Sequence, residues 1–135
     1  MIRVAIVFIR SPTGDYFVHR RLPNKRVFPG LYGLGTGGTV EPNESPRQGA
    51  TRELREEAGL STPLVHVADF PFDSGGVQYT VHFFLTEAPG PIPNHDPEWS
   101  ESGFRSEAEV RELIESGHVC PDTAECFHRL NALDT

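Results

Sequence analysis

The chain has 135 residues, 37% hydrophobic and 23% charged, which is enough for one domain with its own core and no need of covalent staples. Its net charge of -7 argues against a polynucleotide held on a basic surface. Cys120 and Cys126 make neither a disulfide framework nor a zinc-binding set, and such sparing use of thiols fits a reducing cytoplasm.

The opening run MIRVAIVFIR is broken by Arg3 and closed by Arg10. It is too short for a bilayer span and has no small-residue cleavage site, so we expect a buried strand and neither secretion nor membrane anchoring. SPTGD supplies turn chemistry, and YFVHRR follows as the second strand of a hairpin. LPNKRVFPG reads as a loop. LYGLGTGG reads as one short strand whose glycines let other groups approach the backbone. Ser45 as N-cap, Pro46 at the first position and Gly59 as stop predict a helix over 46–58.

PLVHVADFPF and VQYTVHFFLTE read as strands around a DSGG turn, then a proline-rich loop and a short extended WSESGF. Ser106 and Glu109 have capping-box spacing for a helix that Gly117 ends, and Asp122 with Glu125 caps a last helix. The mixture of strands and helices indicates an α/β or α+β sandwich, in a single domain spanning 1–135.

Charge is unevenly spread. Residues 1–60 carry nine Lys/Arg against six Asp/Glu, whereas 61–135 carry three against thirteen. The basic residues concentrate at His19, Arg20, Arg21, Lys25 and Arg26, either as a solvated loop or as a local attractor for a small anion.

In the helix over 46–58, Glu53, Glu56 and Glu57 share a face about 100° wide, beside an apolar stripe of Ala50, Leu54 and Ala58. Like charges at these spacings repel by a few tenths of a kcal/mol per exposed pair, as a rough figure. Arg52 can reach Glu56 but cannot neutralise the whole face. A hard divalent cation can, and an all-oxygen set favours Mg²⁺ or Mn²⁺ over zinc. Taken alone, the same helix also reads as a solvated surface. Gly49 costs about 1 kcal/mol against alanine, through simple tolerance or because it leaves room above the acids.

The flanks decide between these readings. Gly38, Glu44, Arg52, Glu53, Leu54, Glu56, Glu57, Gly59 and Leu60 fill every specified position of the signature of the Nudix hydrolases, which residues 38–60 therefore resemble. Asn43 stands where glycine is frequent, and asparagine tolerates the left-handed conformation. The resemblance implies an αβα sandwich with a mixed central sheet and cleavage of a pyrophosphate bond in a nucleoside diphosphate linked to another group. It implies Mg²⁺, with Mn²⁺ as a substitute, held by Glu53, Glu56 and Glu57 beside the Gly38 backbone.

Glu53 is also a candidate proton acceptor, with Arg52 orienting a glutamate and Glu44 closing the loop onto the helix. Glu98 and Glu101 are candidate general bases, and Arg20, Arg21 and Arg26 candidate phosphate contacts. The expected partner is a small diphosphate, with no polynucleotide and no membrane; the family also leaves room for a homodimer. Phe28, Tyr32, Tyr79 and Trp99 are candidate stacking groups, with wall packing the simpler role. His66 and His82 look structural. Two rival readings remain. One is an isopentenyl-diphosphate-isomerase-like enzyme, although the cysteine that family uses before its box is missing from Gly35–Gly38. The other is a nucleotide-sensing module without turnover, although none of the acids has been lost.

Overall fold

The computed structural model describes residues 1–93 and 95–133. Asn94, in the proline-rich loop, and the last two residues lie outside it. Among the described residues seven strands form one sheet: β1 (Ile2–Arg10), β2 (Tyr16–Arg21), β3 (Tyr32–Leu34), β4 (Thr36–Thr39), β5 (Val65–Ser74), β6 (Val77–Glu87) and β7 (Trp99–Arg105). The order is β3-β2-β1-β6-β5, with β4 paired to β1 and β7 to β2. β1 and β6 run parallel over nine residue pairs from Ile2↔Tyr79 to Arg10↔Glu87, and the other strand pairs are antiparallel, so the sheet is mixed.

Helix α1 (Pro46–Ala58) covers one face, where Ala50, Leu54 and Ala58 pack with Ala5, Val7 and Phe84. Val110 of α2 (Glu107–Glu115) and Phe127 of α3 (Pro121–Leu133) pack on the other face with Ile6, Phe8 and Phe83. Alternate residues of β1 therefore feed two cores, as the two-residue period of a strand requires. This is the expected αβα sandwich. No helix among the described residues is long and apolar enough to cross a membrane.

The helix signals act as expected in α1 and α2. Ser45 and Gln48 form a reciprocal capping box, Pro46 opens α1, and Gly59 closes it with φ 71°; Ser106 and Glu109 form a second box, ahead of α2. Two local expectations are corrected, and a third position is clarified. The glycine-rich stretch is two strands, because Gly35 turns through φ 72°; a Cβ there would lie 2.0 Å from the Val7 carbonyl oxygen. Helix α3 begins at Pro121, so Asp122 sits inside its first turn instead of capping it. Asn43 is not left-handed: among the described residues Phe28, at φ 50°, is the only non-glycine with positive φ.

Candidate active site

β1 shares one edge between two strands. Val4–Val7 pair with β4, whereas Arg10 pairs with Tyr16 of β2. A cavity of about 610 Å³ opens here, lined by residues of β1, β2, β4, α1 and the loops before β3 and β7.

Glu53 and Glu57 of α1 both line this cavity, as do Gly37 and Gly38 of β4. The Gly37 N–H donates to Glu57 Oε1 at 2.9 Å. Gly38 makes room for the Glu53 carboxylate, since a Cβ at 38 would lie 2.5 Å from Glu53 Oε1. Burial pushes the Glu57 carboxyl up to about 8, against the Gly37 bond, and the Glu53 and Asp96 charges add to the rise. Burial also raises Glu53, opposed by Arg52. Such carboxylates, desolvated and mutually repelling, suit a shared cation.

Arg52 is the hub of this face. Its Nε and Nη2 donate to the two oxygens of Glu44 at 2.8 and 2.9 Å, and its Nη1 donates to Glu53 Oε1 at 2.8 Å. Nη2 also donates to the Thr39 carbonyl at 3.1 Å. The fork geometry of a guanidinium makes this set of bonds possible. The bonds from Arg52, with help from the Glu41 N–H, hold Glu44 down to about 2. Glu44 thus ties the β4–α1 loop to the helix. Gly49 belongs to that closure and leaves no space above the acids: a Cβ there would meet Val40 Cγ2 at 3.1 Å and Glu44 Oε1 at 3.3 Å.

The expected site residues divide. Glu53, Glu57, Gly38, Arg21 and Glu98 line the cavity, whereas Glu56, Glu101, Arg20 and Arg26 do not. Glu56 stands at the rim, its side chain 55% exposed and 3.4 Å from Arg52 Nη1. Glu101 instead accepts from the Tyr32 hydroxyl at 2.5 Å. Arg20 donates to the Gly30 carbonyl at 2.9 Å and lies over the Tyr32 ring. Strand alternation separates them, since successive residues of β2 point to opposite sides. Arg21 therefore lines the cavity and Arg20 does not. Arg26 is an exposed loop residue.

Several lining residues are not singled out as site residues by the sequence, among them Lys25, His19 and Thr36, and also Asp96, Cys120 and Asp122. Lys25, which forms an ion pair with Glu98, shows in the sequence only as a member of the basic cluster, as does His19. His19 donates from Nδ1 to the Gly35 carbonyl at 2.8 Å, so its Nε2 carries a lone pair. It stacks on Trp99 at 4.7 Å, and burial lowers its pKa to about 4. Thr36, 2% exposed, lines the cavity with Oγ1 unpaired among the described residues. No pattern at single-sequence level marks such positions, because their burial is set by strands far apart in the chain. Of the candidate stacking groups, Phe28, Tyr79 and Trp99 are cavity walls, and Tyr32 is not. His66 and His82 both reach Asp69 Oδ1 at 2.8 Å, away from the cavity.

Residues 1–124 match the family model described as the NUDIX domain. The chain belongs to the Nudix family. An uncharacterized Nudix hydrolase of Streptomyces coelicolor, SCO1686, is 33% identical over 134 residues, covering 96% of this chain and 74% of that protein. The solution structure of the ORF135 protein of E. coli is similar at 28% identity and TM-score 0.73, covering 98% of this chain and 92% of that one. An isopentenyl-diphosphate Delta-isomerase of Halorhodospira halophila is 33% identical over 97 residues, covering 67% of this chain and 55% of that enzyme. As a Nudix hydrolase, the protein is a pyrophosphohydrolase. Nudix hydrolases typically act on nucleoside diphosphate derivatives and generally need a divalent metal.

Proposed function

We propose that this Nudix hydrolase cleaves the pyrophosphate bond of a small diphosphate, a nucleoside diphosphate joined to another group, with Mg²⁺ or Mn²⁺ as cofactor. The observation that carries the reading is the pair of buried carboxylates, Glu53 and Glu57, set against the Gly37–Gly38 backbone at a cavity of about 610 Å³. That volume suits a nucleotide-sized ligand.

The donor set fits a hard cation. It is all oxygen, burial raises both carboxyls, and among the described residues Glu57 has no salt bridge to Lys or Arg within 4.0 Å. No three His, Cys, Asp or Glu among the described residues form a ready-made cage. Mg²⁺ commonly keeps several waters and shares phosphate oxygens, so a partial protein set supports this assignment. Glu53 and Glu57, with Glu56 at the rim and the Gly38 backbone, would hold the cation. When bound, it would neutralise phosphate oxygens and make a coordinated water more acidic.

The protein's own groups do the rest. Arg52 is the positioning residue: tied to Glu44 and Thr39, it fixes the direction of the Glu53 carboxylate. Glu53 is then placed to take a proton from the attacking water. Glu98, on the loop before β7, is the alternative acceptor. Arg21 is a phosphate contact through its Nη atoms, since Nε donates to the Val27 carbonyl at 2.9 Å.

The isomerase relative supports a second reading, double-bond isomerisation of an isoprenoid diphosphate. Against it, Gly35–Gly38 holds no cysteine. Cys120 does line the cavity, but burial pushes its thiol up to about 12, which keeps it protonated. A panel of nucleotide and non-nucleotide diphosphates with Mg²⁺ or Mn²⁺, in ¹⁸O-labelled water, tests both readings. Label entering a phosphate product supports hydrolysis. Isomerised isopentenyl diphosphate with no phosphate product from any substrate would overturn it.

A further inference from the structure

The cavity is a poor host for an anion in one respect. Its described lining includes five carboxylates, Glu53, Glu57, Asp96, Glu98 and Asp122, against two permanent cations, Arg21 and Lys25. Even with a divalent ion bound, a diphosphate needs those cations. Yet Lys25 is already engaged, in an ion pair with Glu98, another lining residue.

The two ion pairs of this region differ in kind. Arg52 and Glu44 meet through two parallel bonds, with side chains only 21% and 16% exposed. Lys25 and Glu98 meet at one point, with side chains 27% and 59% exposed. A single-point, solvated pair is weak and exchangeable, whereas a bidentate one is durable. The backbones on either side are fixed. Lys25 N–H donates to the Leu22 carbonyl at 3.2 Å, and Leu22 N–H donates to the Glu98 carbonyl at 3.2 Å. The Gly30 N–H closes the same loop on the Leu22 carbonyl at 3.3 Å. Exchange of partner therefore needs only side-chain rotation. A lysine suits this, being a point charge on a flexible stem. It is also the only lysine in the chain, beside eleven arginines.

We propose that Lys25 is a substrate-positioning residue that passes between two partners, Glu98 in the free enzyme and a substrate phosphate in the complex, so that anion binding releases the Glu98 carboxylate into the cavity. This rests on the diphosphate reading above and adds to it a coupling: the arriving anion uncaps one of the two candidate proton acceptors. The exchange also makes Glu98 a competitor of the substrate for Lys25. Removing its charge then strengthens anion binding while weakening any step that uses the freed carboxylate.

The sole lysine gives a direct readout. The probe is amine modification of the full-length protein by a water-soluble acylating reagent, with Lys25 followed by peptide mass spectrometry and the α-amine of Met1 as internal control. Exchangeable surface pairs hold each other only about two- to fivefold. Glu98→Gln is therefore expected to raise Lys25 reactivity by about that factor, and pyrophosphate with Mg²⁺ to protect Lys25 while leaving Met1 unchanged. In parallel, Glu98→Gln is expected to bind pyrophosphate more tightly than wild type, and Lys25→Gln more weakly, by calorimetry. Circular dichroism establishes that both variants fold. Unchanged Lys25 reactivity in Glu98→Gln, or no protection by pyrophosphate, would overturn the proposal. Turnover of the diphosphate panel by the wild type is scored separately. A protein that hydrolyses the panel but fails the labelling test refutes the exchange alone, and one that hydrolyses nothing refutes the function instead.

Discussion

Adding one methyl group at Gly38 is expected to disable the enzyme while leaving it folded. A Cβ at 38 would lie 2.5 Å from Glu53 Oε1, 2.6 Å from Cδ and 2.8 Å from Oε2. Ordinary contact begins near 3.4 Å, so the carboxylate must retreat by about 0.9 Å. Glu53 is a flexible side chain, and the three atoms nearest the new methyl group all belong to its carboxyl end. Its φ is not in the left-handed region, so Gly38→Ala carries no backbone strain. The cost to stability should therefore stay near or below about 1 kcal/mol. The cost to turnover is larger, because the retreat pulls Glu53 away from Arg52 Nη1, now at 2.8 Å, and from the reacting water. A misplacement of about 1 Å at a reacting group costs on the order of 100-fold. The assay is kcat on the best diphosphate of the panel at saturating Mg²⁺, beside urea unfolding of the same preparation. A folded Gly38→Ala enzyme with kcat within about threefold of wild type, far short of the 100-fold scale, would refute the placement of Glu53.

Other perturbations test neighbouring parts of the account. Arg52→Lys keeps the charge but loses the fork that serves Glu44, Glu53 and Thr39 together, and kcat should fall by about tenfold or more with KM less affected. Gly35→Ala should fail to fold or lose more than about 3 kcal/mol in urea titration, since the new Cβ meets the Val7 carbonyl at 2.0 Å and φ is 72°. Leu54→Ala, at a position 1% exposed between the helix and the sheet, should cost about 2–5 kcal/mol in the same titration.

His19 makes its own contribution to the pH dependence of stability. Its folded pKa, about 4, lies below the ordinary 6.5, so the unfolded chain binds the proton that the folded one refuses. The neutral buried ring is fully tolerated above pH 6.5, and stability drains as pH falls from there toward 4, by about 3 kcal/mol on the order-of-magnitude scale of one pKa unit. Glu57, raised to about 8 by burial, acts in the opposite sense over the same window in wild type and variant alike, so the fall should appear as a loss of wild-type stability relative to His19→Asn when urea midpoints of the two are compared between pH 7 and 4.

Much of this architecture was legible because local signals and global packing agree. Ser45, Pro46 and Gly59 bound α1 as expected, and the apolar stripe of Ala50, Leu54 and Ala58 is the face that packs on the sheet. The strand over YFVHRR is β2, residue for residue. What failed to show in the letters depends on atoms distant in sequence. Gly35 splits a strand because of the Val7 carbonyl, twenty-eight positions earlier. The basic cluster could be seen, but not its sorting: β2 alternation sends Arg21 to the cavity and Arg20 to Tyr32. Likewise the helical wheel groups three glutamates, but β4 packs against Glu53 and Glu57 and leaves Glu56 at the rim. Asp122 satisfied a capping rule, yet Pro121 opened the helix first, leaving the carboxylate to accept from the Tyr79 hydroxyl at 3.0 Å.

At the centre of the account stands one statement: Glu57 and Glu53 jointly hold the divalent ion that diphosphate cleavage requires. Manganese titration followed by electron paramagnetic resonance, on wild type and on folded Glu57→Gln, tests it most directly, with turnover measured on the same samples. Wild type should bind Mn²⁺ and hydrolyse a diphosphate, and Glu57→Gln should bind the ion at least about tenfold more weakly and lose turnover by orders of magnitude. Equal Mn²⁺ affinity and equal turnover in the two proteins would contradict it.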